Sequence, residues 1–166
     1  RGPGSRDYRV RRQGLYDRPS MSDFLHHDAA DLAEDARRLL AELDRDVPGA
    51  DAAAAECRPA IDVVETSTTV EIVVDTAGIP AEALRVLIRR NSVLVVGVKL
   101  AASTEPTIRF HLAERSYGRF ARVIRLAGAA DASRARATVA RGQLRVVLPR
   151  LDERRGRVFA IPVERG

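Results

Sequence analysis

Val70-Glu71-Ile72-Val73-Val74-Asp75-Thr76-Ala77-Gly78-Ile79-Pro80 is the stretch that decides the fold. Val70, Ile72 and Val74 alternate across Glu71 and Asp75, the period of a strand with one face on a core, and Ala77-Gly78-Ile79-Pro80 then turns the chain. The same pattern spreads outward in both directions. Ile61 and Val63 alternate around Asp62, and Leu84, Val86 and Ile88 alternate across Arg85 and Leu87. Residues 93–98 are nearly all apolar, as expected of a strand covered on both faces. Residues 122–126, 135–140 and 144–148 complete the set, separated by turn signals at Arg90-Asn91-Ser92, Tyr117-Gly118 and Arg141-Gly142-Gln143. Short strands with turns and no long helical pattern between them predict an all-β, antiparallel, immunoglobulin-like β-sandwich over residues 58–151.

Two appendages flank it. Residues 1–57 form an N-terminal arm whose residues 28–46 read as an amphipathic helix. Leu32, Ala36, Leu39, Leu40 and Leu43 make one apolar stripe, Glu34 stands four residues before Arg38 for a supporting ion pair, and Pro48-Gly49 ends the helix. A lone amphipathic helix cannot bury its own stripe. Leu32, Leu39, Leu40 and Leu43 therefore either pack on the sandwich or serve as a client-binding or assembly surface, and the alanine-rich linker 50–55 loosens any fixed docking. At the other end, residues 152–166 read as a flexible charged extension carrying Ile161-Pro162-Val163. The proline holds the backbone extended, and positions i and i+2 then point the same way. Ile161 and Val163 thus form a two-pronged plug that needs a socket, on this subunit or on another. Arg1 to Ser5 (RGPGS) reads as an expression remnant and Met21 as a candidate start.

Composition narrows the function. The net charge is +5, but residues 1–20 hold six arginines against Asp7 and Asp17, which leaves the rest close to neutral. With so few aromatic residues, the folded part offers neither the basic field nor the stacking platforms for nucleic acid. No apolar run is long enough to span a membrane. The lone Cys57 cannot close an internal disulfide and suits a reducing, cytoplasmic setting. His26-His27 lacks companions at metal-ligand spacing, and a triad of His111, Ser116 and Glu114 lacks any nucleophile motif. Neither a phosphate-cradling loop nor a cofactor motif is present, so catalysis, cofactors and ATP-driven action are not expected.

The ordered set Pro59-Ala60-Ile61-Asp62-Val63, Ala77-Gly78-Ile79-Pro80, residues 110–120 (FHLAERSYGRF), Ala137 to Leu144 (ATVARGQL, an A-x-x-x-x-G-x-L signature), Leu148-Pro149 and Ile161-Pro162-Val163 resembles the small heat-shock proteins, whose shared module is the α-crystallin domain. The likeness runs over residues 58–163. Arg141 and Gln143 depart from the Asn and Val usual beside the signature glycine, Leu112-Ala113 from a basic-plus-aliphatic pair, and Ala127 from a common proline. The resemblance implies an ATP-independent holdase that binds unfolded client proteins, self-assembles from dimers into larger oligomers and hands clients to ATP-dependent chaperones. It implies a dimer interface at Thr107, Ile108, Arg109, Phe110, His111 and Arg122, with the first five pairing as a strand with a partner's first strand. It also implies a groove for the plug between Val86 and Ile88 on one strand and Ala135, Ala137 and Val139 on another, where alanines leave space beside larger aliphatics. Tight core packing is the plainer reading of those alanines. Gly142 is expected to supply a positive φ in a structural hairpin with Leu144. A protein-binding module of the p23 co-chaperone kind is the alternative on the same sandwich.

Overall fold

A computed structural model describes residues 22–101 and 109–151, with side chains from residue 29. One helix, α1 (Ser22–Asp46), precedes seven strands: β1 (Ile61–Glu65), β2 (Thr69–Asp75), β3 (Leu84–Arg89), β4 (Ser92–Lys99), β5 (Gly118–Arg125), β6 (Arg136–Ala140) and β7 (Gln143–Pro149). The strands form two antiparallel sheets, ordered β1-β2-β7-β6 and β3-β4-β5, so the expected sandwich is what the chain builds. Its inner layer comes from the alternation seen in the sequence. Val70, Ile72 and Val74 of β2 and Leu144, Val146 and Leu148 of β7 are buried on one sheet, and Val93, Val95, Phe120 and Ile124 on the other. Gly97 sits opposite Leu84 and Phe120, and a Cβ there would come within 2.5 Å of the Phe120 ring. The glycine is therefore a fitting requirement of the core.

The β6–β7 hairpin closes through Arg141-Gly142, both with positive φ (51° and 75°), between the paired Ala140 and Gln143. Two left-handed residues in a two-residue loop match the twist of the strands they join. Gly142 supplies the positive φ expected of it, and Leu144 beside it is buried.

Three local expectations change. The helix begins at Ser22, six residues before the expected start. Arg38 pairs with Asp35 (3.1 Å) and Glu42 (3.5 Å). Asp35 takes the place expected of Glu34 because it lies on the side of α1 that meets the sandwich. Gly118, read as part of a turn, opens β5, which starts four residues before the expected Arg122.

The helix packs on the sandwich. Leu32, Leu39 and Leu43 are buried in the same core as the strands, with Leu40 half-buried against it, and Val47 and Ala50 continue the contact beyond the helix. Burying Leu32, Leu39 and Leu43 contributes about 1.5–3 kcal/mol each. Of the two roles left open for the stripe, this structure shows the packed one. The linker is not loose either. Arg119 N–H donates to Ala55 O (2.8 Å), Cys57 N–H donates to Arg119 O (2.9 Å), and the Arg119 side chain donates to the carbonyls of Ala50 and Ala53 (3.0 Å each).

Candidate assembly and client-binding surfaces

Strand register separates the two faces of the β3-β4-β5 sheet. Paired residues share a face, so Ile88, Val93 and Ile124 point inward, as do Val86, Val95 and Arg122. Leu87, Leu94 and Val123 point outward, as do Arg85, Val96 and Ala121. Residues 93–98 are fully buried because the other sheet covers one side and α1 the other. The helix runs against the direction of β3 and β5 and is clamped by arginines from both. Arg85 meets Asp46 (2.6 Å), Arg89 meets Asp35 (2.8 Å) and Asp31 (3.2 Å), and Arg119 meets Asp44 (2.8 Å). These contacts were not anticipated from sequence. Their signal was present in outward-facing arginines on strands and aspartates flanking the helical stripe.

Asp35 is the most enclosed of these acids, its side chain 8% exposed. Burial works to raise its carboxyl, but hydrogen bonds and charge from Arg38 and Arg89 outweigh it and hold the group below the usual carboxylate range. The folded pKa is lowered, so its contribution to docking is complete above the ordinary carboxylate value, about 3.9, and lost only as pH falls through the lower folded value. Amide protection of α1, corrected for intrinsic exchange, should accordingly be flat between about pH 8 and pH 5 and decline below about pH 4. A step near pH 6 would show that other groups control the docking.

The other sites lie at the sheet edges. β3 and β6 are each the edge strand of a different sheet. Val86 and Ile88 face inward, as do Ala137 and Val139, which pair with the buried Val146 and Leu144. Yet Val86, Ile88, Ala135 and Val139 are only half-buried and Ala137 is exposed, so the interior is open along these edges. This departs from tight core packing. The plug Ile161-Pro162-Val163 lies outside the described residues.

At the opposite edges, Ile61 and Val63 of β1 are inward-facing and half-buried. Arg122 of β5 reaches across to donate from Nη1 to the Pro59 carbonyl. Burial, helped by the charge of Arg58, pulls its guanidinium below the usual arginine range, and no carboxylate pairs with it among the described residues. A cleft of about 880 Å³ opens here between β1, β5 and the alanine side of α1 (Ala29, Ala33, Ala36). Thr107 and Ile108 lie outside the described residues. Arg109, Phe110 and His111 are exposed in a segment without regular structure, and Phe110 and Leu112 are left 65% and 75% exposed. His111, Glu114 and Ser116 are all exposed along this same segment. His26 and His27 lie in α1 ahead of the described side chains.

Cys57 Sγ donates weakly to Gly118 O (3.4 Å), and burial, offset in part by Lys99, pushes its thiol up, which lowers its reactivity. Among the described residues no group of three His, Cys, Asp or Glu side chains could hold a metal, and no helix is long and apolar enough to cross a membrane.

A two-sheet sandwich with edges open at both ends of its interior defines a class of β-domain suited to strand addition. The Hsp20/alpha crystallin family matches residues 62–164, and the chain belongs to that family. It is 31% identical over 119 residues to an 18.9 kDa heat shock protein of Oryza sativa subsp. japonica, covering 70% of this chain and 67% of that one. Among solved structures it is similar to heat shock protein 16.0 of Schizosaccharomyces pombe, with TM-score 0.54 and 29% identity over 66% of this chain and all of that chain. It is also similar to hspA of Xanthomonas axonopodis, with TM-score 0.54 and 28% identity over 58% of this chain and 96% of that one. The family is one of small heat-shock chaperones, and the fold is its α-crystallin sandwich.

Proposed function

We propose that this chain is an ATP-independent holdase that captures partly unfolded clients in a reducing, cytoplasmic setting and passes them to ATP-dependent chaperones. The observation that carries the reading is the open sandwich, with inward-facing aliphatic side chains half uncovered at the edges of both sheets in a member of a chaperone family. Unpaired strand edges invite another strand. In this reading residues 107–111 of one subunit pair with β1 of a partner. The exposed Phe110 and Leu112 support that assignment, because a second copy would relieve their contact with water. Arg122, half-buried and, among the described residues, hydrogen-bonded to a carbonyl and paired with no carboxylate, stands ready for a partner's carboxylate. The Ile161/Val163 plug of another dimer fills the space beside Val86, Ile88 and Val139, linking dimers into larger assemblies.

The test uses the full chain without nucleotide. It should suppress light scattering from a heat-aggregating client at near-stoichiometric ratios, with no change on adding ATP. Light scattering on the chain alone should give the mass of a multiple of dimers. A monomer that leaves aggregation unaltered would sink the proposal.

A further inference from the structure

The outer faces of the two sheets differ in a way the sandwich itself does not require. On the β1-β2-β7-β6 sheet the outward positions of the central strands set Glu71, Asp75, Gln143 and Arg145 among the half-buried Val73 and Val147, with a Glu71–Arg145 ion pair at 2.7 Å, a mixed, charged face of the kind turned to water. On the β3-β4-β5 sheet the outward positions include Leu87, Leu94, Val96 and Val123, an aliphatic floor. Arg85, Arg89 and Arg119 border it, and all three pair with acids of α1. The floor and its rim are therefore complementary to one kind of ligand, an apolar segment flanked by carboxylates. The chain's own helix is such a segment.

Among the described side chains, the contacts that hold the helix change along its length. Its C-terminal half is anchored by Leu39 and Leu43, by Val47 just beyond it, and by Arg119, which ties Asp44 and the carbonyls of Ala50 and Ala53 together. The stretch from Ala29 to Ala36 presents Ala29, Ala33 and Ala36 to the cleft beside β5, where Val123 stays 48% exposed. There the buried Leu32 and the Arg89 pairs with Asp31 and Asp35 are the holds seen among the described side chains.

We propose that the outer face of the β3-β4-β5 sheet is a latent binding surface, that α1 is its resident cover, and that on release of the cover it accepts acid-flanked apolar segments of partly unfolded proteins. The Arg89 pairs are the latch. The identity of the partner rests on the holdase reading; the complementarity of the surface does not. The expected client preference follows from charge. An apolar segment with acids on both sides restores the ion pairs that departure of α1 leaves open, and a basic one meets three guanidinium groups of its own sign.

The test uses the full chain carrying Asp35→Asn with Asp44→Asn, which loosens α1 and leaves the arginine rim intact. The probes are two labelled synthetic peptides. One has the sequence of residues 22–46, and the other is the same peptide with Asp31→Asn, Asp35→Asn, Asp44→Asn and Asp46→Asn. Fluorescence anisotropy should show the variant binding the acidic peptide about tenfold more tightly than the wild type does, and about tenfold more tightly than the asparagine peptide. Raised salt should shrink the second difference. Faster amide exchange in α1 without any gain in peptide binding overturns the proposal, as does equal affinity for the two peptides. A doubled mass with no peptide captured also overturns it, because the occupant would then be a second copy's helix. Should the double variant fail to fold, Arg89→Gln opens the latch and removes part of the rim. It should then take up more peptide with a reduced preference for the acidic form, and an undiminished preference overturns the proposal. Aggregation assays on the wild type separate this idea from the holdase reading. Protection without peptide binding by the variant removes only the latent surface, and peptide binding without protection removes only the holdase.

Discussion

Gly118→Ala should lower the thermal midpoint by about 10 °C and free the segment that joins α1 to the sandwich. The glycine has φ +120°, where a side chain strains the backbone, and a Cβ there would lie 2.0 Å from Ala55 O, 2.3 Å from its carbonyl carbon and 2.9 Å from Glu56 N. Backbone cannot turn aside as a side chain can, so the two segments must separate. Separation breaks the Arg119 N–H to Ala55 O and Cys57 N–H to Arg119 O hydrogen bonds and moves the Arg119 fork away from the carbonyls of Ala50 and Ala53. Backbone strain of about 1–3 kcal/mol and two hydrogen bonds at about 0.5–1.5 kcal/mol each give a loss near 3 kcal/mol. A melt followed by circular dichroism measures it. A midpoint within about 2 °C of wild type would mean that the linker contact contributes little to stability.

Leu43→Ala should weaken the helix far more than the sandwich. Leu43 is fully buried, and removing such a side chain costs about 2–5 kcal/mol through lost burial and the cavity left behind. The helix lies on an outer face, whereas the interior between the sheets is filled by Val70, Ile72, Val93, Val95, Val146 and Leu148. The loss should therefore appear as local opening, with amide protection in α1 falling about thirtyfold or more while β2, β4 and β7 keep theirs. Leu148→Ala is the control, expected to lower protection in both sheets together. Equal loss of protection in α1 and the strands after Leu43→Ala would make the helix an inseparable part of one cooperative unit, and a releasable cover would then be untenable.

The two variants bear on how function is stored in this fold. If α1 separates before the sandwich unfolds, moderate heating uncovers an aliphatic sheet face while the domain that carries it persists. The holdase proposed above would be served by that order of events. The ion pairs around the face would also make the release sensitive to salt, because several of their members are partly exposed, with Arg89 and Asp31 near two-fifths and Asp46 more than half.

Much of this molecule was legible one residue at a time. Alternation at Val70, Ile72 and Val74 and at Leu84, Val86 and Ile88 marked the strands because side chains on a strand point to opposite sides in turn. The unbroken run at 93–98 declared a strand with no face in water, and the structure has it so. Gly142 announced its hairpin because few other residues tolerate its backbone conformation. The stripe Leu32, Leu39 and Leu43 was equally plain as a stripe. What it would cover was not, because periodicity reports that a face must be buried and carries no information on what buries it. That answer depended on Arg85, Arg89 and Arg119, separated from Asp31, Asp35, Asp44 and Asp46 by dozens of residues and brought beside them only when β3 and β5 enter one sheet. Local sequence determined which segments are strands, which is a helix and where the chain turns. Tertiary structure alone decided that the helix belongs on the outer face of the three-stranded sheet, because ion pairs and the fit of one apolar surface to another exist only after distant segments have met.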